Sequence, residues 1–213
     1  MGLKKYQIMN GIWAIVLAAG ESKRMGSPKM LLPWMGKTII EQVVENVLSS
    51  EVSGAVVVLG AASDGVKSVT LRYNVVHCYN EEYKSGMLSS VRCGLKALPD
   101  DCTAVVVMPG DQPMTGANEL NRVIAARKES GKGIVMPVYE GRRGHPLLID
   151  GSYREEVMTL PEDEGLRALA ARHPGDVFEA STEDPSVLRD IDTHDDYLDE
   201  LNIITRDGRD DPI

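Results

Sequence analysis

Three cations, Lys23, Arg24 and Lys29, fall in a stretch of residues 17–33 that also holds Gly20 and Gly26. Glycine takes positive φ or lets backbone N–H groups approach a ligand closely, and clustered cations add charge, so the stretch reads as a binding loop for a polyphosphate. In a chain of net charge -9, such a local excess of positive charge points to a specific anion rather than to general solubility. No Gly-Lys-Ser/Thr follows, so this is not a P-loop; Ala19 and Met25 interrupt any G-x-G-x-x-G series. Carboxylates form the second group. Asp111, in the turn Pro109-Gly110-Asp111-Gln112-Pro113, reads either as a ligand for a hard cation such as Mg²⁺ or as a turn or helix-capping aspartate. Asp192, in Arg189-Asp190-Ile191-Asp192-Thr193, reads as a second carboxylate for the same ion, or else it or Thr193 caps the helix that follows. If that segment is extended and Ile191 points into the core, Asp190 and Asp192 share a side.

The elements that must position these groups follow from apolar patterning. Residues 12–17, 55–59, 74–78 and 103–108 are short apolar runs that predict strands, the last the most hydrophobic. Between them, helical spacing predicts helices over 37–49, 64–72, 87–98 and 117–129. Residues 134–139 and 145–149 flank a Gly-Arg-Arg-Gly turn and predict a hairpin with antiparallel strands. A helix over 167–173, a short strand over 176–180 and a closing helix over 195–201 complete the pattern. Alternating strand and helix predicts an α/β fold: a Rossmann-like three-layer sandwich with a mostly parallel mixed sheet, its ligands in the crevice at the carboxyl ends of the strands. The loops after Val16 and Met108 fall there.

At 213 residues, 43% hydrophobic and only 5% aromatic, the chain is expected to form one domain over 12–204, with a flexible extension over 1–11 and a flexible tail over 205–213. The acidic balance argues against binding a long nucleic acid, whose phosphates would be repelled. No apolar run approaches the ~20 residues of a membrane span and the start lacks the apolar stretch of a secretory signal, so a cytoplasmic protein without membrane attachment is expected. Cys78, Cys93 and Cys102 match no zinc or disulfide spacing and read as reduced core thiols.

Residues 17–33 resemble the L-A-A-G-x-S-x-R-M-G-x-x-K-x-L-L-P signature of the MobA-like nucleotidyltransferases, and within them most resemble the molybdenum cofactor cytidylyltransferases. Ser85-Gly86-Met87-Leu88-Ser89-Ser90-Val91, Gly110-Asp111-Gln112-Pro113, Gly141-Arg142-Arg143-Gly144-His145-Pro146 and the segment 190–197 agree in order, so the resemblance covers about residues 12–200. It implies a nucleotide-diphospho-sugar transferase type of fold. It also implies that Lys29 stabilises the α-phosphate, and that Arg24 with the backbone of 20–26 holds the outer phosphates. Leu17, Ala18, Ala19 and Gly20 would form one wall of the base site, and Gly86, Ser89 and Ser90 the other. Asp111 and Asp192 would hold Mg²⁺, while Arg142, Arg143, Gly144 and His145 would hold the acceptor's phosphate. One departure stands out: where a Gly-Asp-x-Gly-x-Arg segment is expected, this chain has Glu162-Asp163-Glu164-Gly165-Leu166-Arg167.

The resemblance implies an enzyme that transfers CMP from CTP to the terminal phosphate of molybdopterin cofactor, with pyrophosphate released. Ala19, where relatives that use GTP tend to have glycine, favours the pyrimidine. The alternatives are a guanylyltransferase, a transferase with another small acceptor, or a non-catalytic carrier that serves a molybdenum hydroxylase or its maturation.

Overall fold

The computed structural model describes residues 11–207; the expected extension as far as residue 10 and the expected tail at 208–213 lie outside the described residues. In chain order the elements are β1 (Gly11–Ala18), β2 (Pro33–Trp34), β3 (Lys37–Thr38), α1 (Ile39–Leu48), β4 (Gly54–Leu59), α2 (Ser63–Thr70), β5 (Val76–Tyr79) and α3 (Met87–Lys96). Then come β6 (Cys102–Pro109), α4 (Ala117–Ser130), β7 (Ile134–Tyr139), β8 (Arg142–Arg143), β9 (Leu147–Asp150), α5 (Arg154–Thr159), α6 (Arg167–Arg172), β10 (Val177–Ser181) and α7 (His194–Asp207).

The main sheet runs β10-β7-β9-β6-β1-β4-β5, with β8 paired to β7. Pairings of β1 with β4 and β6, of β4 with β5 and of β7 with β10 are parallel, whereas β9 lies antiparallel to both β6 and β7. This is the mixed, mostly parallel sheet that the alternating pattern predicts. Side chains alternate across it. Ala14, Val16 and Ala18 of β1 join a core with α1, α2 and α4, while Ile15 and Leu17 join a second core with α3, α5 and α6. Strands covered on both faces need apolar residues at successive positions, and burying each large aliphatic side chain contributes on the order of 1.5–3 kcal/mol.

Several local features differ from expectation. The helix predicted from residue 37 starts at Ile39, because Thr38 caps it and the Glu41 side chain returns to the Thr38 backbone in a capping box. Residues 33–38 instead form the β2-β3 hairpin, which buries Trp34 against Ile39, Ile191 and Tyr197 in a third, small core. The predicted hairpin over 134–149 is divided: β7 pairs locally with β8, and the chain then inserts β9 between β6 and β7. Helix α5 was not expected, since it buries only Val157. Helix α7 runs through Thr205, where a tail was expected to begin. All three cysteines are unbonded, with the Cys78 and Cys93 sulfurs 3.3 Å apart. Among the described residues no helix is long and apolar enough to cross a membrane.

Candidate active site

From β1 the chain steps outward to β4 and β5, then returns to place β6 on the other side of β1. Strand order therefore reverses at β1 and β6, and the carboxyl ends of these two strands open the crevice where α/β sheets bind ligands. The loops leaving them touch. Gly110 N–H donates to the Leu17 carbonyl at 3.0 Å, and a Cβ on Gly110 would stand only 2.7 Å from that oxygen, so the approach requires glycine.

Lys29, buried at 8% exposure, reaches across this seam. Its Nζ donates to Asp111 Oδ2 at 2.5 Å and to Asp192 Oδ1 at 3.0 Å, and Arg24 closes on the other Asp192 oxygen at 2.8 Å. Burial disfavours the charge on Lys29, but the two carboxylates outweigh it and hold its pKa above the ordinary lysine value. Burial likewise pushes the Asp192 carboxyl up, but Lys29 and Arg24 together hold it below the usual range. Thus Lys29, Arg24, Asp111 and Asp192, from three distant parts of the chain, form one cluster whose formal charges sum to zero.

Asp192 does not cap α7. Thr193 does: its hydroxyl accepts from Asp196 N–H at 3.2 Å, while the Asp196 carboxylate accepts from the Asp192 and Thr193 amides. That frees the Asp192 carboxylate for the cluster. Ile191 is fully buried, its N–H donates to the Asp111 carbonyl at 3.0 Å, and Tyr197 hydroxyl donates to the Pro33 carbonyl at 2.6 Å. The third core and these bonds pin the Asp-x-Asp segment to the crevice.

The loop before Lys29 is shaped for a ligand approaching its backbone. Ser22 and Gly26 take positive φ (51° and 66°), and the Ser22 hydroxyl accepts from Lys29 N–H at 3.1 Å. Gly20 has no positive φ, but nothing would crowd a Cβ there, so its backbone is open. A cavity of about 260 Å³ lies against Gly20, Ser22, Gly26 and Ser27. Lys23 pairs with Glu21 at 2.8 Å at the exposed rim.

A second cavity, also about 260 Å³, adjoins the cluster and is lined by Leu17, Ala19, Gly20, Tyr83, Gly86 and Ser90, with Lys29 and Asp111 at one end. Two residues expected there are elsewhere. Ala18 faces the core beneath α1, and the buried Ser89 hydroxyl donates to the carbonyls of Glu82 and Gly86.

On the far side of Met87 a larger cavity of about 490 Å³ has an apolar floor that includes Leu147 and Leu166, with Arg143, His145 and Arg167 among its polar residues. Arg142 does not line it, and the Arg143 guanidinium pairs with Glu179 at 2.7 Å. Gly144 lines the cavity but has a packing role: a Cβ would stand 2.3 Å from the Val187 carbonyl. His145 faces Asp190 and Asp111, and burial lowers its pKa despite their charges. Glu162, which replaces an expected glycine, forms an ion pair with Arg92, so the loop is fastened there. Asp190, Gln112 and Asn80 are participants that sequence reasoning did not single out. Asp190 accepts from Gln112 Nε2 at 2.5 Å, and burial followed by the charge of Asp111 raises its pKa. The only sequence signal for Gln112 and Asp190 is position beside Asp111 and Asp192, and Asn80 carries none.

Residues 14–177 match the MobA-like NTP transferase domain. The chain belongs to the MobA-like NTP transferase family. Among the relatives of this MobA-like chain, the molybdenum cofactor cytidylyltransferase of Escherichia coli is 28% identical over 191 residues, covering 89% of this chain and 95% of that protein. The nicotine blue oxidoreductase of Paenarthrobacter nicotinovorans is 31% identical over 193 residues, covering 85% and 92%. Among solved structures, Rv0371c of Mycobacterium tuberculosis superposes with a TM-score of 0.81 at 28% identity, covering 90% of this chain and 97% of that one. The same mycobacterial protein is also known as a complex with manganese, with a TM-score of 0.76 at 28% identity and coverage of 90% and 98%. The MobA-like fold thus accounts for the crevice.

Proposed function

We propose that the chain transfers CMP from CTP to the terminal phosphate of molybdopterin cofactor, releasing pyrophosphate. The observation that carries this reading is the convergence of Lys29, Arg24, Asp111 and Asp192 at the mouth of the glycine-containing loop. An acceptor phosphate oxygen attacks the α-phosphorus of CTP, the new P–O bond forms, and the bond to the β-phosphate breaks with pyrophosphate as leaving group. Such a reaction needs positioning and positive charge more than covalent help from the protein.

The side chains divide this work. Lys29 neutralises the α-phosphoryl oxygens as charge builds on them, and Arg24 with the 20–26 backbone holds the outer phosphates. Because the cluster is neutral by itself, a triphosphate brings several negative charges that Lys29 and Arg24 alone do not balance. Asp111 and Asp192 suit a hard divalent cation, since Mg²⁺ is usually held by one or two carboxylates together with substrate phosphates and water. When bound there, Mg²⁺ supplies Lewis-acid charge to the transferring phosphoryl group. The cavity beside Ser90 takes the base, with the Ala19 methyl narrowing it toward a pyrimidine. The larger cavity takes the acceptor: its apolar floor suits a flat heterocycle, and Arg143, Arg167 and His145 suit a phosphate end.

A second reading, binding of a flat heterocycle without nucleotidyl transfer, is favoured by that apolar floor and by the oxidoreductase name of one relative. Thermal denaturation with Mg²⁺ and each nucleotide tests the first reading: CTP is expected to raise the melting temperature more than GTP. Equal or reversed shifts would remove the cytidine assignment.

A further inference from the structure

Asn80 sits where β5 ends and holds two parts of the nucleotide cavity together. Its backbone N–H donates to the Leu59 carbonyl at 2.9 Å, tying it to β4. The residue is 5% exposed, and its amide orientation follows from its partners. Oδ1 accepts from Glu82 N–H at 3.0 Å, which leaves Nδ2 as the donor to Ser89 Oγ at 2.8 Å and to Ser90 Oγ at 3.0 Å. The two serines then differ. Ser89 has spent its hydrogen on the carbonyls of Glu82 and Gly86. Ser90 accepts from Asn80, lines the cavity, and among the described residues donates to no protein acceptor.

Resting on the nucleotidyltransferase reading above, we infer that Asn80 is a specificity-determining positioning residue: it turns the Ser90 hydroxyl into a hydrogen-bond donor aimed at an acceptor atom on the nucleobase edge. A hydroxyl can donate or accept, and by itself would suit either kind of edge. The Asn80 N–H on its oxygen occupies one of its two lone pairs and turns the hydroxyl hydrogen away from Asn80, toward the cavity. Cytosine presents two adjacent acceptors, O2 and N3, on its pairing edge, whereas guanine presents one, O6, beside two N–H donors. A fixed donor at Ser90 therefore favours cytosine, acting independently of the space left by Ala19. Buried polar groups discriminate in this way because a mismatched edge leaves a donor or acceptor unpaired in a desolvated site.

The test is isothermal titration of CTP and GTP, each with Mg²⁺, into the full chain and its variants. Ser90→Ala is expected to weaken CTP about tenfold with a smaller effect on GTP, and Ser90→Thr, which keeps the hydroxyl, to restore most of the loss. Asn80→Asp keeps the acceptor for Glu82 N–H but turns the other contact into an acceptor, so Ser90 donates inward. The added charge weakens both triphosphates alike, and the ratio of CTP to GTP affinity is expected to fall about tenfold. If Asn80→Asp does not fold, the Ser90 pair decides alone. An unchanged ratio in both Ser90→Ala and Asn80→Asp would overturn the inference. Binding of both nucleotides without pyrophosphate formation would overturn the transfer reading only, and no nucleotide binding by the parent chain would overturn both. If the parent prefers GTP, the cytidine assignment falls, and the fixed donor survives only if Ser90→Ala weakens GTP about tenfold.

Discussion

Lys29 and Asp111, 82 positions apart in the chain, meet at 2.5 Å across the seam between the loops leaving β1 and β6. The contact joins a buried ammonium to a carboxylate in the turn that follows the most hydrophobic strand, and Asp192 completes it from a third loop. In the proposed reaction Lys29 works mainly in the transition state, where charge accumulates on the α-phosphoryl oxygens. Lys29→Ala is expected to lower turnover by about 10²- to 10³-fold with a smaller change in CTP affinity. Steady-state kinetics check this, and normal turnover in the variant would reject the role.

Asp192 and Thr193 are neighbours with separable tasks. Thr193→Ala removes a helix cap and is expected to cost about 1 kcal/mol of stability while leaving the Mg²⁺ dependence of activity as it was. Asp192→Asn removes a charge from the cluster but no cap, so the Mg²⁺ concentration for half-maximal rate should rise sharply and turnover fall. Titrating Mg²⁺ against rate in both variants distinguishes them; near-normal dependence in Asp192→Asn would leave Asp111 as the only carboxylate ligand.

Much of this arrangement is legible in the sequence because buried parallel strands advertise themselves. The apolar runs behind Val16 and Met108 announce the strands and place both loops at the crevice, whereas the direct contact of Lys29 with Asp111 depends on the β6-β1 adjacency that the structure reveals. Short-range features are less visible: the β2-β3 hairpin has two residues per strand and rests on the burial of Trp34, and α5 carries only one buried residue. Ser89 and Ser90 are adjacent and chemically identical, both accept from the Asn80 amide, and only the Glu82 and Gly86 carbonyls that take the Ser89 hydrogen separate the two. Gly144 sits within a motif expected to hold the acceptor's phosphate, yet the Val187 carbonyl explains the glycine, a contact between segments more than forty residues apart.

That last point is open to measurement. Gly144→Ala forces a Cβ into the Val187 backbone and is expected to destabilise the fold by about 1–3 kcal/mol. Chemical denaturation reads this directly, and stability equal to that of the parent would refute the packing role.

His145 supplies a pH signature. Burial holds its imidazole below the ordinary value of 6.5, so the unfolded chain takes up this proton at higher pH than the folded chain does. Stability linked to His145 is therefore fully present above about pH 6.5 and is lost as pH falls from there through the folded value. His145→Gln should show a shallower loss of stability over that window, and identical pH profiles for the two proteins would contradict the assignment.

The central claim is nucleotidyl transfer, and the most direct measurement is pyrophosphate release from CTP in the presence of Mg²⁺ and purified molybdopterin cofactor. The account predicts one pyrophosphate for each cofactor consumed, dependence on both the cofactor and the divalent ion, a higher rate with CTP than with GTP, and loss of the signal in Lys29→Ala. No pyrophosphate from any of the four nucleoside triphosphates, with the cofactor intact and the protein folded, would contradict it.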